Sequence, residues 1–124
     1  MPISFLVDPH FHLVRTTYLG LITLVDVVTY VRSLVDRGLL RSAHLVDARH
    51  ATLGFSPEDT KILAELMKTL RGKHGSGPVA FVIGDAPSYY TAGAYQDLGA
   101  GGNPRFAVFE DVAAAEMWLE LNGR

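Results

Sequence analysis

Apolar positions along the chain fall into two rhythms, and the switching between them predicts the fold. Residues 3–7 are a short run of β-formers closed by the Asp8-Pro9 turn. Residues 11–19 alternate, with Phe11, Leu13, Arg15 and Thr17 on one side and His12, Val14, Thr16 and Tyr18 on the other, so the two segments read as a β-hairpin ended by Gly20. From Thr23 the period becomes helical. Leu24, Val27, Val28, Val31, Leu34 and Val35 form one stripe, Thr23 with Asp26 resembles a capping box, and Gly38 is a stop.

The same grammar repeats downstream. Residues 43–47 read as a buried strand, followed by a loop over residues 48–55. Ser56-Pro57-Glu58-Asp59 then opens a helix, with a cap, a proline at the first helical position and acids at the positive end of the dipole. Its apolar face is Ile62, Leu63, Leu66, Met67 and Leu70, and Arg71-Gly72 closes it. Residues 79–83 are the most apolar strand, suited to a central position. A third helix spans residues 86–98, a strand residues 105–109, and a final helix capped by Asp111 runs to Leu121, with Val112, Ala115, Trp118, Leu119 and Leu121 packing. The order ββαβαβαβα predicts an α/β domain whose sheet is mixed and mostly parallel, with an N-terminal β-hairpin.

Composition narrows the class. A chain of 124 residues, 48% of them apolar, fits one domain over residues 1–124 with a core that needs no staples. The net charge is −2 and the Lys and Arg residues are scattered singly. The densest basic stretch, residues 68–74, sits where a helix C-terminus favours cations. Nucleic acid is therefore not an expected partner. The lack of cysteine excludes disulfides and thiol catalysis, and fits a reducing compartment. The first residues lack the charged region of a signal peptide, and no apolar run is long enough to span a bilayer. The expectation is a cytoplasmic protein without integral membrane association.

Several stretches carry a likeness: Tyr18-Leu19-Gly20-Leu21-Ile22-Thr23 with Asp26, His44-Leu45-Val46-Asp47-Ala48-Arg49, Phe55-Ser56-Pro57-Glu58-Asp59, and Phe109-Glu110-Asp111-Val112 running into Trp118-Leu119. With the element order, they resemble the STAS superfamily, in particular its SpoIIAA-like stand-alone bacterial domains. The resemblance covers nearly the whole chain. It implies a binding or regulatory domain rather than an enzyme. In anti-anti-sigma members a serine in an Asp-Ser-Ser-Gly stretch is phosphorylated. Ser56 falls near the first serine of that stretch and Pro57 near the phosphorylated one, so an intact phosphoserine switch is not implied here. The likeness of this branch to Sec14-type lipid-binding domains implies that an apolar ligand is worth considering.

Candidate chemistry gathers at one predicted border. Asp47, Arg49 and His50 follow a strand end, where open α/β sheets bind ligands, and Asp85, Ser88, Tyr89 and Tyr90 belong to a turn at the same border. Ser56 reads first as a helix cap and second as a phosphoacceptor. The acids and Arg49 read first as turn and surface partners, and second as a binding rim for a protein partner or a small apolar or anionic ligand. Two other readings compete: an enzyme using Asp47, His50 and Asp85, or a structural homodimer. The tyrosines of the third helix suit either a pocket rim or packing.

No motif completes a cofactor or metal site. His10 and His12 would share a face if both lay on a strand, but no third ligand is fixed by spacing. Residues 72–77 have the outer spacing of a phosphate loop but are followed by Pro78-Val79 in place of Lys-Ser/Thr. Residues 99–102 follow a helix and meet Pro104 where a dinucleotide fingerprint needs glycine. A Gly-x-Ser-x-Gly elbow is missing as well. Neither a cofactor nor a metal is expected.

Overall fold

The computed structural model describes residues 2–10 and 12–123. Phe11, placed above at the start of the second strand, lies outside the described residues, as do Met1 and Arg124. The chain is an α/β domain with elements β1 (Ile3–Asp8), β2 (Leu13–Ile22), α1 (Leu24–Asp36), β3 (Ala43–Leu53), α2 (Pro57–His74), β4 (Val79–Ile83), α3 (Ala86–Asp97), β5 (Phe106–Phe109) and α4 (Val112–Asn122). A short 3₁₀ turn, Ala100–Gly102, lies between α3 and β5. Among the described residues, no helix is long and apolar enough to cross a membrane.

The five strands lie in sequence order, β1-β2-β3-β4-β5. The first pair is antiparallel and the rest are parallel. Each crossover therefore steps to the next strand in the same direction. Crossovers of one hand then put their helices on one face, and α1, α2 and α3 share the larger core there. Helix α4 follows the last strand and covers the opposite face, packing Ala115 and Leu119 on Leu13, Leu45, Ala80 and Val82. Strand β4 is interior, as its apolar run predicts, but the middle strand is β3.

The helix starts follow from local sequence. Thr23 and Ser56 each accept a bond from the backbone N–H three residues on, while Asp26 and Asp59 return one to the cap backbone. Asp85 caps α3 and Asp111 caps α4. These caps satisfy backbone donors that no helical carbonyl can reach.

Other boundaries move. Strand β2 does not end at Gly20. That glycine takes φ +72, a conformation its missing Cβ permits, and the strand continues to Ile22. Strand β3 does not end at Asp47, and the expected loop after it is strand as far as Leu53. Thr17 pairs with Asp47 but Leu19 with His50, so β3 carries one extra residue opposite Tyr18. This bulge breaks the two-residue alternation, which is why sequence periodicity loses the strand there. Helix α2 runs through Gly72 to His74 and stops at Gly75, whose φ is +89. Ile62 and Leu121, expected to pack, are 53% and 80% exposed. His10 and His12 lie in the turn before β2, not on it.

A belt of aromatic rings crosses the three-helix face. Phe5 of β1 meets Tyr30 of α1 at 5.7 Å, Tyr30 meets Tyr18 of β2 at 6.1 Å, and Tyr18 meets Phe81 of β4 at 5.6 Å. Phe81 meets Phe106 of β5 at 6.3 Å, and Phe106 meets Tyr95 of α3 at 5.3 Å. Tyr18 thus reaches across β3, the strand between β2 and β4. Edge-on pairs of this kind add about 0.5–1.5 kcal/mol each beyond area burial.

Two glycines test the packing. A Cβ on Gly84 would meet the Arg49 carbonyl oxygen on β3, whereas one on Gly93, inside α3, meets nothing within 4 Å. Gly84→Ala is expected to destabilise by about 1–3 kcal/mol, as overpacking does. Gly93→Ala should stabilise by about 0.5–1 kcal/mol by removing helix-interior glycine. Urea unfolding of the two variants checks both signs.

Candidate functional site

The sheet splits at its C-terminal border. Strand β4 leads into α3 on one face, and β5 leads into α4 on the other. Between these diverging connections opens a crevice of about 580 Å³ lined by Arg49, Ile83, Gly84, Asp85, Ala86, Tyr89, Tyr90 and Glu110. This is the kind of place where open α/β sheets bind ligands. The structure therefore brings Arg49, Asp85, Tyr89 and Tyr90 together, with Asp47 attached through Arg49. His50 and Ser56 do not line the crevice.

Most of these groups already serve one another. The Arg49 guanidinium grips Asp47 through Nε at 2.9 Å and Nη2 at 2.8 Å, and this bond is the main reason the Asp47 carboxyl is held below its ordinary range. Asp85 accepts from the Ser88 backbone at 2.8 Å and from the Thr52 hydroxyl at 2.7 Å, and its pKa is lowered by the Ser88 side chain first, then by Thr52 and the Ser88 backbone. Ser88 is fully buried and turned to β3. Its Oγ accepts the Leu53 N–H at 3.2 Å and lies 3.5 Å from the Ala51 carbonyl. Ser56 caps α2. Tyr89 and Tyr90 remain exposed, their rings edge-on at 6.0 Å. Among the described residues His50 makes no hydrogen bond to a carboxylate, and no three His, Asp or Glu side chains are grouped as metal ligands.

A second space lies where sequence reasoning did not look. Between the three-helix layer and the sheet is a cavity of about 110 Å³. Val27, Val31 and Leu34 of α1, Leu63 and Met67 of α2, and Ala92 of α3 wall it on the helix side. Val46, Val79 and Phe81 line it on the sheet side. Its polar groups come from scattered places: Tyr18, Tyr30, His44, Thr60, Arg71, Thr91 and Tyr95. Apart from Arg71, Tyr95 and Thr91, these polar residues are buried.

Their electrostatics differ from those of the rim. Tyr30 shares a 2.6 Å hydrogen bond with Thr16, yet burial outweighs it and pushes the phenol up to about 12. Burial raises Tyr18 strongly, with Tyr30 and Tyr95 adding to it. Burial also raises Tyr95, against the pull of the neighbouring Arg71. His44 donates from Nε2 to the Leu39 carbonyl at 2.9 Å, and burial lowers it to about 4, so the ring is neutral at pH 7. Arg71 is the one lining residue that keeps a permanent charge. No spacing rule links a tyrosine on β2 to others on α1 and α3. The cavity is a product of tertiary packing.

His44 gives a pH test. Its folded pKa, about 4, lies below its ordinary 6.5, so the unfolded chain takes up the proton first as pH falls. Stability is complete above about pH 6.5 and declines toward pH 4, by up to about 3 kcal/mol. His44→Gln keeps a donor for the Leu39 carbonyl and should flatten this window. Urea unfolding at stepped pH measures it, and an unchanged slope would assign the loss elsewhere. The lowered carboxyls of Asp47 and Asp85 lose their contributions below the ordinary carboxylate range, a lower window.

No family model matches the chain, and neither the curated proteins nor the solved structures provide a match.

Proposed function

We propose that this chain is a non-catalytic binding or regulatory domain of SpoIIAA-like type, and that its ligand is a small apolar molecule held between the sheet and helices α1 to α3. The observation that carries the reading is the apolar cavity of about 110 Å³ within the larger core. Protein interiors are close-packed, with few voids larger than a water molecule. Space of this volume left unfilled by side chains costs roughly 2–3 kcal/mol in lost packing at the usual rate per unit volume. A ligand of matching shape restores those contacts. Cavities of about 150 Å³ with apolar walls are known to take up benzene, so the size class is a single ring or a short branched chain.

The enzymatic alternative draws less support. It needs His50 hydrogen-bonded to an acid, and although His50 acts electrostatically on Asp47, that carboxylate is bonded to Arg49, and Asp85 to Thr52 and Ser88. The crevice beside Tyr89 and Tyr90 fits a secondary role as a surface for a protein partner that senses the liganded state. The lack of cysteine agrees with a reducing cytoplasm as the place of action.

Toluene and nitrobenzene test the cavity directly. At about ten times its dissociation constant, either compound should raise the melting temperature by about 3–6 °C. Backbone NMR shifts should centre on the cavity walls of α1, α2 and α3. Ala92 is buried in that wall, and Ala92→Leu takes up part of the volume. The variant should stay folded and lose the response. Shifts confined to the Tyr89 and Tyr90 rim, or an Ala92→Leu response equal to the wild type, would reject the cavity as the ligand site.

A further inference from the structure

Arg71 is an anomaly in the wall of this cavity. Its helical position, in the last turn of α2, explains a positive charge by the dipole alone. That account would leave the side chain in water, where Lys73 and His74 are. Arg71 instead folds inward to line the cavity, and burial lowers its pKa. Nε is buried and has no hydrogen-bond partner among the described residues. Nη1 donates to the Ser76 hydroxyl at 3.3 Å, and the Tyr95 hydroxyl is a second neutral neighbour.

Among the described residues Arg71 forms no ion pair, and the cavity lining contains no Asp or Glu. The other basic group in the wall, His44, is neutral at pH 7 and hydrogen-bonded to the Leu39 carbonyl. A partly desolvated guanidinium without an anion is costly. Its planar edge of parallel N–H donors matches a carboxylate, which bonds it with two oxygens. A phosphate or sulfate suits this cavity poorly, because the remaining wall is almost wholly apolar and would strip its other oxygens of water.

From these contacts, and on the reading above that the cavity is a ligand site, we infer that the ligand is a small monocarboxylic acid with an aromatic or short branched body. Its carboxylate pairs with the Arg71 guanidinium, and its apolar body lies among the α1 and α2 side chains and Phe81. The Tyr95 hydroxyl, beside the guanidinium, is placed to donate to the same carboxylate. Binding then depends on one half-buried charge, and the apolar wall sets the size limit.

Benzoate and nitrobenzene provide the test, since they have nearly the same shape and only the first is charged. Titration calorimetry on the whole chain at pH 7 is expected to give benzoate about tenfold tighter binding than nitrobenzene, the size of effect a charge-assisted bidentate pair supports. Arg71→Met keeps an apolar stem of similar length and should erase that preference, weakening benzoate about tenfold and leaving nitrobenzene within about threefold. Arg71→Lys keeps the charge without the planar fork and should retain part of the preference. Equal affinities in the wild type, or a benzoate preference that survives Arg71→Met, would overturn the acid-binding role and leave an apolar site intact. If the methionine variant fails to fold, the wild-type ratio and the lysine variant still decide the question. Absence of binding by benzoate, nitrobenzene and toluene alike at millimolar concentration would reject the acid and the cavity reading together.

Discussion

The placement of α3 depends on how the far end of β3 finds its hydrogen bonds. Strand β3 pairs with β4 only as far as Ala48 and Ile83, but it continues alongside β2 to Leu53. Beyond the bulge, its outer edge has no strand beside it. An unpaired buried backbone donor costs about as much as a lost hydrogen bond. The start of α3 supplies the partners: Ser88 takes the Leu53 N–H, and Asp85 takes the Thr52 hydroxyl while capping the helix. One turn of helix thus closes a sheet edge and orients the α3 axis. Ala92 and Tyr95 follow on the same helix, so the arrangement that satisfies β3 also sets one wall of the cavity.

Much of this was legible locally and little of it globally. Thr23, Ser56 and Asp111 announce their helices because capping is chemistry among neighbouring residues, and neighbours are what a sequence displays. Gly20 and the β3 bulge misdirect for the same reason. A two-residue rhythm cannot carry an extra residue, and a glycine that would end one strand elsewhere here only bends it. Ile62 and Leu121 match a helical stripe and still face solvent, because the width of the buried face is decided by what packs against it. The rim could be anticipated, since strand ends followed by turns gather at one border of a parallel sheet. The cavity could not. Tyr18, Tyr30 and Tyr95 sit on three elements, and Arg71 has a sufficient local explanation as a cation at a helix end.

The winding of the sheet is the reason the cavity lies on one particular face. Because every crossover steps the same way, three helices must tile one side of five strands while a single helix covers part of the other. Three cylinders on a twisted surface leave more space between them than one helix leaves beneath itself. The aromatic belt fills much of that space, with rings handed from Phe5 to Tyr95 across the whole sheet. Rings prefer edge-on contacts and do not flow into irregular gaps as methionine does. The remaining volume lies beside the belt, under α1, α2 and α3.

Rim and cavity then differ in a way that bears on function. At the rim, the groups nearest the sheet have partners of complementary kind: Asp47 with Arg49, Asp85 with Thr52 and the α3 backbone, Ser88 with β3. Such groups gain little from a ligand, which would have to displace a bond already made. In the cavity, among the described residues, the guanidinium of Arg71 meets neutral hydroxyls only, and its Nε meets none. A charge partly withdrawn from water among neutral neighbours is where an incoming anion adds most, since part of the desolvation cost is already present in the folded protein. Polar groups that look chemically richest in the sequence are therefore the ones the fold has used, and the binding capacity sits with a residue whose local role looked complete.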